Sequence, residues 1–197
     1  MSRPGPADPA KLVVSVFMKE KPLFPDLYDP LEDIGGPVDI ISPWLDFDFT
    51  DYYYKEMEAP LFRRMVAFKP LMRQGDLAKI KLATNALEEQ FSERSHRRVN
   101  IDPGYLLCSR FVLATGKDYA HRIWIGQGIY ADLTLMYTNQ GFKPLEWTYP
   151  DYASKEILVF LGKVRAKYLT DLAGQAPTKG QTHDQKHDCL CQGSGNQ

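Results

Sequence analysis

Residues 76–91 read DLAKIKLATNALEEQF, and the fold class turns on this stretch. Leu77, Ile80, Thr84, Leu87 and Phe91 recur at helical spacing, and Asp76 is placed to serve as N-cap. The spacing predicts a helix. Glu88 and Glu89 stand near its C-terminal end, against the helix dipole, so packing has to hold it. Just upstream, Leu61 to Phe68 (LFRRMVAF) is closely bracketed by Pro60 and Pro70, which suits a strand better than a helix. Downstream, Arg98 to Ile101 reads as another short strand.

The start of the chain repeats this alternation. Lys11 to Met18 (KLVVSVFM) is rich in β-branched residues and reads as a buried strand. Leu27, Leu31 and Ile34 then lie along one side of a short helix that Gly35-Gly36-Pro37 ends. Val38 to Ser42 begins a second strand, and Leu45 to Phe49 (LDFDF) alternates as a half-exposed strand does. Thr50 to Glu58 is a tyrosine-rich connection or a single helical turn. The order strand, helix, strand, strand, helix, strand predicts an α+β fold with a ferredoxin-like antiparallel sheet and helices on one face.

Arg110 to Thr115, Arg122 to Ile125 and Ile129 to Tyr137 extend this as a C-terminal strand meander. Pro103-Gly104, Gly116-Lys117-Asp118 and Gly126-Gln127-Gly128 punctuate it as hairpin loops. Ser154 is placed to cap a last helix with an apolar stripe of Ile157, Leu158, Leu161, Val164 and Tyr168. The expected organisation is a flexible N-terminus over 1–10, one domain over 11–170 and a disordered polar tail over 171–197.

A chain of 197 residues buries about 70% of its unfolded surface, enough for one core without staples. Its 24 basic and 25 acidic side chains leave a net charge of -1, so no overall field gathers nucleic acid or anionic lipid. The first ten residues hold no apolar signal core, and Leu12 to Met18 is too short to span a bilayer. Cys108, Cys189 and Cys191 make an odd count, which fits a reduced cytosol better than a disulfide framework. The expectation is a soluble cytoplasmic protein without a membrane partner.

Several segments carry groups suited to chemistry. On a strand, Asp46 and Asp48 share one face and form a candidate pair for a hard cation such as Mg²⁺. The plainer reading, a solvent-facing edge over Phe47 and Phe49, is preferred. Asn100-Ile101-Asp102-Pro103-Gly104-Tyr105 reads as the most site-like loop, with an Asx-type turn as the alternative. Lys117 and Arg122 suit a phosphate or carboxylate, and His121 beside them suits proton transfer or plain packing. Trp147, Tyr149 and Tyr152 around Pro150-Asp151 stack on a flat ligand or close the core, and packing is preferred. His183, His187, Cys189 and Cys191 have soft-metal character but match no standard finger. There is no GxxxxGK[ST], GxSxG, HExxH or paired CxxC, and Gly126-x-Gly128 lacks the third glycine of a dinucleotide fingerprint.

Five blocks then point to a family: FTDYYYKEM from Phe49, IKLATNALE from Ile80, VNIDPGYL from Val99, VLATGKDYAHRIWIGQGIYADLTLMY from Val112 and WTYPDY from Trp147. Over roughly Lys11 to Leu169 the chain resembles the bacterial and archaeal proteins of the domain of unknown function DUF4416. Glu58 departs from that pattern, because glycine is expected after Met57. The resemblance implies membership without an assigned activity. It directs attention to the shared polar positions Tyr52, Tyr53, Glu56, Asn100, Asp102, Tyr105, Lys117, His121, Arg122 and Asp151.

The leading expectation is a module that binds a small molecule or a protein, with cofactor and oligomeric state left open. Its rival is an enzyme acting on a phosphate- or carboxylate-bearing metabolite. In that version Lys117 and Arg122 bind the anion, and Asp102 or His121 moves a proton. GTP or nucleic-acid binding is weaker, for want of a phosphate loop and of excess basic charge. The Arg94 to Arg98 run (RSHRR) reads as a solvated loop.

Overall fold

Strand β1, Ala10–Met18, is buried along its whole length, so both of its faces need cover. The computed structural model describes residues 3–94 and 96–175. The four tail residues His183, His187, Cys189 and Cys191 lie outside them. After β1 come α1 (Phe24–Gly35), β2 (Val38–Ile41), β3 (Leu45–Asp46), α2 (Tyr54–Met57), β4 (Phe62–Met72) and α3 (Leu77–Gln90). There follow β5 (Val99–Leu106), β6 (Arg110–Thr115), β7 (Arg122–Gly126), β8 (Ile129–Thr138), β9 (Gly141–Pro144) and α4 (Lys155–Gln175). The fold is α+β. Its nine strands form one antiparallel sheet in the order β2-β4-β1-β5-β6-β8-β7, with β3 beside β4 and β9 beside β8.

The period-2 alternation of β1 divides the core. Leu12, Val14, Val16 and Met18 pack with Phe24, Leu27 and Leu31 of α1 and Leu87 of α3. Val13 faces the other way, into a cluster with Ile157, Phe160, Leu161, Val164 and Tyr168 of α4. Helices therefore cover both faces: α1 and α3 lie on one, α4 on the other. Near the start of β1, the ammonium of Lys11 is fully buried, 2.6 Å from both Asp39 and Asp171. Lys167, one turn before Asp171, completes this cluster. Burial pushes the Asp171 carboxyl up, but hydrogen bonds from Lys11 and Lys167 more than reverse this and hold it below its ordinary value.

Four local expectations are corrected. The first concerns β3, which covers two residues only, so Asp48 does not share a strand with Asp46. The second is the end of β4, which runs on through Pro70 to Met72. The β1–β4 register slips between Lys11 and Val13, and Pro70 falls in that irregular stretch, where no ladder N–H is required. The third concerns Asp76, which precedes α3 but makes no side-chain cap bond, because a 3-10 turn over Gln74–Asp76 leads into the helix. The fourth concerns residues 116–118, which do not close a hairpin. Strands β6 and β7 both pair with β8, one on each side of it.

The largest correction is at residues 100–105. They form no loop; β5 pairs with β1 at every position from Val99 to Leu106. With β6 it pairs only at Gly104, Tyr105 and Leu106. A Cβ on Gly104 would stand 2.5 Å from the Val112 carbonyl oxygen, so the glycine serves close strand approach rather than a turn. Pro103 comes where one flank of β5 is already open, which is where a strand tolerates proline. From there β5 and β6 part company.

Glu58 occupies φ 60° and ψ 173° at the end of α2, a backbone region that favours glycine. The turn is made all the same, and the Glu58 carboxylate pairs with Lys19. The Gly126-Gln127-Gly128 hairpin forms as expected, with all three residues at positive φ.

Candidate functional site

The parting of β5 and β6 leaves backbone groups of Ile101 without a strand to bond. Helix α3 supplies the replacement. The Ile101 N–H donates to Glu88 Oε1 at 2.5 Å, and the Ile101 carbonyl accepts from Lys81 Nζ at 2.9 Å. This accounts for two charged residues buried on the inner face of α3. Burial pushes the Glu88 carboxyl above its ordinary value, with the nearby Lys81 ammonium acting against that rise.

Above this repair lies a cavity of about 680 Å³. Phe17 of β1, Arg63 of β4 and Asn100 and Asp102 of β5 form one side. Residues 113–117 at the end of β6, together with Arg122, Asp132 and Thr134, form the opposite side. The segments 47–53 and 149–152 close it. Phe49, Tyr52, Tyr119 and Tyr149 in this wall are exposed, so aromatic rings rim the opening.

Charged groups in the wall are bonded in sequence. Lys81 Nζ is 3.2 Å from Asp102 Oδ1, and Asp102 Oδ2 accepts from Asn100 Nδ2 at 2.8 Å. Asn100 Oδ1 accepts from Arg97 Nη1 at 2.9 Å, and Arg97 grips Glu56 with two bonds of 2.7 Å. That grip holds the Glu56 carboxyl below its ordinary value and raises the Arg97 guanidinium. The half-buried Tyr53 phenol is pushed up by burial, and Asp102 nearby adds to the shift.

On the opposite side, Arg122 donates from Nε to Asp132 Oδ2 at 2.9 Å and from Nη1 to the Lys117 carbonyl at 3.1 Å. Its guanidinium carbon lies 4.3 Å from the centre of the Tyr119 ring. The Lys117 ammonium sits 4.7 Å from the centre of the Tyr52 ring and 3.5 Å from its hydroxyl. His121 is outside the wall: its Nε2 is 3.3 Å from Asp132 Oδ2, and its ring stacks on Trp147 at 5.2 Å. Trp147 is itself anchored by donating to the Leu133 carbonyl at 2.8 Å.

The most buried charged side chain in the wall is Arg63, which is 3% exposed. Nη2 bonds Asp151 Oδ2 at 2.5 Å, and the guanidinium carbon stands 4.5 Å and 4.9 Å from the centres of the Phe47 and Tyr152 rings. Nε and Nη1 have no acceptor among the described residues.

A family model described as Domain of unknown function (DUF4416) matches residues 8–168. The chain belongs to this family. The DUF4416 match runs from the approach to β1 to Tyr168 in α4, and so takes in every wall of the cavity. No curated protein and no solved structure matches the chain.

Of the DUF4416 positions singled out in the sequence, Tyr52, Tyr53, Asn100, Asp102, Lys117, Arg122 and Asp151 meet at the one cavity. Glu56 reaches it through Arg97. His121 backs it through Asp132, and Tyr105 packs among core residues instead. Asp46 and Asp48 line an adjoining hollow of about 390 Å³ with Trp44, Ser154 and Glu156, which shares Phe47, Phe49, Arg63 and Asp151 with the cavity. Among the described residues there is no cluster of three or more side chains arranged for a metal ion. Arg97 and Arg98 of the basic run are tied to Glu56 and Glu20 rather than left to solvent.

Sequence reasoning missed Arg63, Lys81, Glu88, Arg97 and Asp132. The signal for two of them was present: Leu77, Lys81, Thr84 and Glu88 follow helical spacing, so two charges stand in an otherwise inward stripe. Arg63 gave no such sign, since Arg63-Arg64 in a strand sends one side chain to each face.

Proposed function

We propose that this DUF4416 protein is a binding module for a small metabolite carrying an anionic group, seated in the cavity between β5 and β6. The observation that carries this reading is a void of about 680 Å³ ringed by buried charged side chains. Charges are costly to bury, and a core built for packing alone gains nothing by arranging them around empty space. The volume falls in the range of roughly 300–1,000 Å³ typical of small-molecule sites. Lys117 has no carboxylate at ion-pair distance among the described residues, and its neighbour Arg122 faces the same space. These two cations, each against a tyrosine ring, are where the anion belongs.

Thermal melting of the full chain against a broad panel of anionic metabolites tests this. At least one compound should stabilise the wild-type protein saturably, and Lys117→Ala should weaken that response tenfold or more. A panel without any stabilising compound, or one whose effect survives Lys117→Ala intact, would sink the reading.

A second reading, an enzyme acting on a phosphate- or carboxylate-bearing metabolite, draws support from Asp102, whose carboxylate is in the cavity wall beside Lys81 and Asn100. Asp102 rather than His121 then moves the proton, since His121 stands behind Asp132. Turnover of a panel hit, lost in Asp102→Asn with binding retained, separates the two. We also read β1, α1, β2, β4, α3 and β5 as a ferredoxin-like unit. The strand order β2-β4-β1-β5, with α1 and α3 on one face, supports this.

Among the described residues no helix is long and apolar enough to cross a membrane.

A further inference from the structure

The Arg63 side chain is shut into the protein with most of its hydrogen-bonding capacity unused. A guanidinium offers five N–H donors in a fixed plane. Here Nη2 meets Asp151, while Nε and Nη1 are buried and have no acceptor among the described residues. Buried donors without acceptors raise the free energy of the empty protein, and a ligand that supplies the acceptors gains that difference as affinity.

The place of Arg63 makes such a ligand geometrically reasonable. It lies within β4, paired with Phe17 of β1 and Leu45 of β3, so its backbone is fixed. Phe47 and Tyr152, whose rings flank the guanidinium, also line the cavity. A flat ligand resting against them reaches the guanidinium edge by moving a ring, with the strands left in place.

Charge decides the kind of acceptor. Asp151 already neutralises Arg63, so a second full negative charge here would face a carboxylate at close quarters. A neutral carbonyl oxygen satisfies the donors without that repulsion. Lys117, at the other end of the cavity, is the cation with no carboxylate at ion-pair distance among the described residues. Tyr52 and Tyr53 stand between, with ring centres 5.0 Å apart, and Tyr53 is 5.9 Å from Phe47.

We infer that Arg63 is the anchor for a ring carbonyl, and that the ligand is a flat, carbonyl-bearing ring, such as a cyclic amide or imide, with one anionic substituent directed to Lys117. This rests on the cavity being a ligand site, as proposed above. It adds a binding residue and a class of ligand.

Calorimetry on the full chain with three probes tests it: orotate, a cyclic imide bearing a carboxylate; uridine monophosphate, the same ring type bearing phosphate; and benzoate, a flat carboxylate without ring carbonyls. At least one carbonyl-bearing probe should bind ten times more tightly than benzoate, and the tighter of the two identifies the anionic substituent. Arg63→Lys keeps a cation for Asp151 but removes the planar fork. It should weaken the carbonyl-bearing probe by about 30-fold and leave benzoate unchanged. If Arg63→Lys fails to fold, the wild-type preference over benzoate decides alone.

Benzoate binding as tightly as the ring carbonyls overturns the inference. So does unchanged affinity in Arg63→Lys. If Lys117→Ala still weakens binding in either case, the cavity reading stands without the anchor. No binding by any of the three probes overturns the inference, while the broad panel still decides the cavity reading.

Discussion

Two groups of buried charge in this protein are built differently. At the start of β1, Lys11 sits between Asp39 and Asp171 and ties the sheet to α4. In the cavity, Arg63, Lys81 and Glu88 are just as hidden, yet each lines an open space. The first group is a closed joint, in which every charge meets its opposite. The second leaves donors and carboxylates facing a void. Buried charge serves attachment in one case and, on the ligand-site reading proposed above, awaits a bound molecule in the other.

The sharpest way to break this comparison is Lys11→Met. Among the described residues it leaves Asp39 and Asp171 with Lys167 alone, and it should cost about 3 kcal/mol in urea unfolding at pH 7. The loss should shrink in acid. Asp171 has a lowered carboxyl, so its stabilisation is present above the ordinary carboxylate pKa and is lost as pH falls through the lowered value. A loss below about 1 kcal/mol at pH 7 would remove the distinction between the groups.

The matching substitution in the cavity, Lys81→Met, should cost about 1–2 kcal/mol. It deprives the Ile101 carbonyl of a donor, but Asp102 is partly exposed and water in the cavity can serve it. Equal losses for Lys11→Met and Lys81→Met would contradict the idea of an open group.

Glu88→Gln should have the opposite sign, a gain of about 1 kcal/mol at pH 7. The Glu88 carboxyl is raised by burial, so the charged form opposes folding above the ordinary carboxylate pKa. A glutamine oxygen still accepts from Ile101. The gain should vanish below about pH 4, where the wild-type carboxyl is protonated in both states. A net loss at pH 7 would mean that Arg97, whose Nη1 is 3.5 Å from Glu88 Oε2, and the nearby Lys81 ammonium outweigh burial.

The smallest effect belongs to Glu56→Gln at the edge of the cavity. Solvent screens the Glu56–Arg97 pair, so chemical denaturation should register only a few tenths of a kcal/mol. Its lowered carboxyl places the effect at neutral pH, fading as the solution is acidified.

The elements most legible in the sequence are those where local pattern and packing agree. β1 and α3 announce themselves by composition and period, and the strand–helix alternation of the first hundred residues follows. Pro103-Gly104 misleads because its local chemistry is that of a turn. Only the neighbours reveal otherwise: β1 pairs along one flank, and the Val112 carbonyl presses where a Cβ would be. Pro70 hides in the same way, inside an irregularity that depends on the register of another strand.

The site shows the same division. Polar residues clustered along the chain, such as Lys117 with Arg122, or Asn100 with Asp102, were visible as candidates. Arg63 was not, because its meaning comes from Asp151, Phe47 and Tyr152, none of them near it in sequence. His121 drew attention by residue type alone, and its distance from the cavity wall depends on where β8 carries Asp132.

The divergence of β5 from β6 has one further consequence. The hollow arises from the course of the backbone, with Gly104 setting the last point of contact and Lys81 and Glu88 mending the edge beyond it. Exposed rim side chains such as Phe49 and Tyr149 do not set that course, so exchanging them leaves the hollow open. On the ligand-site reading proposed above, socket and selectivity are thus separately adjustable, which makes this chain a natural scaffold for re-engineered recognition.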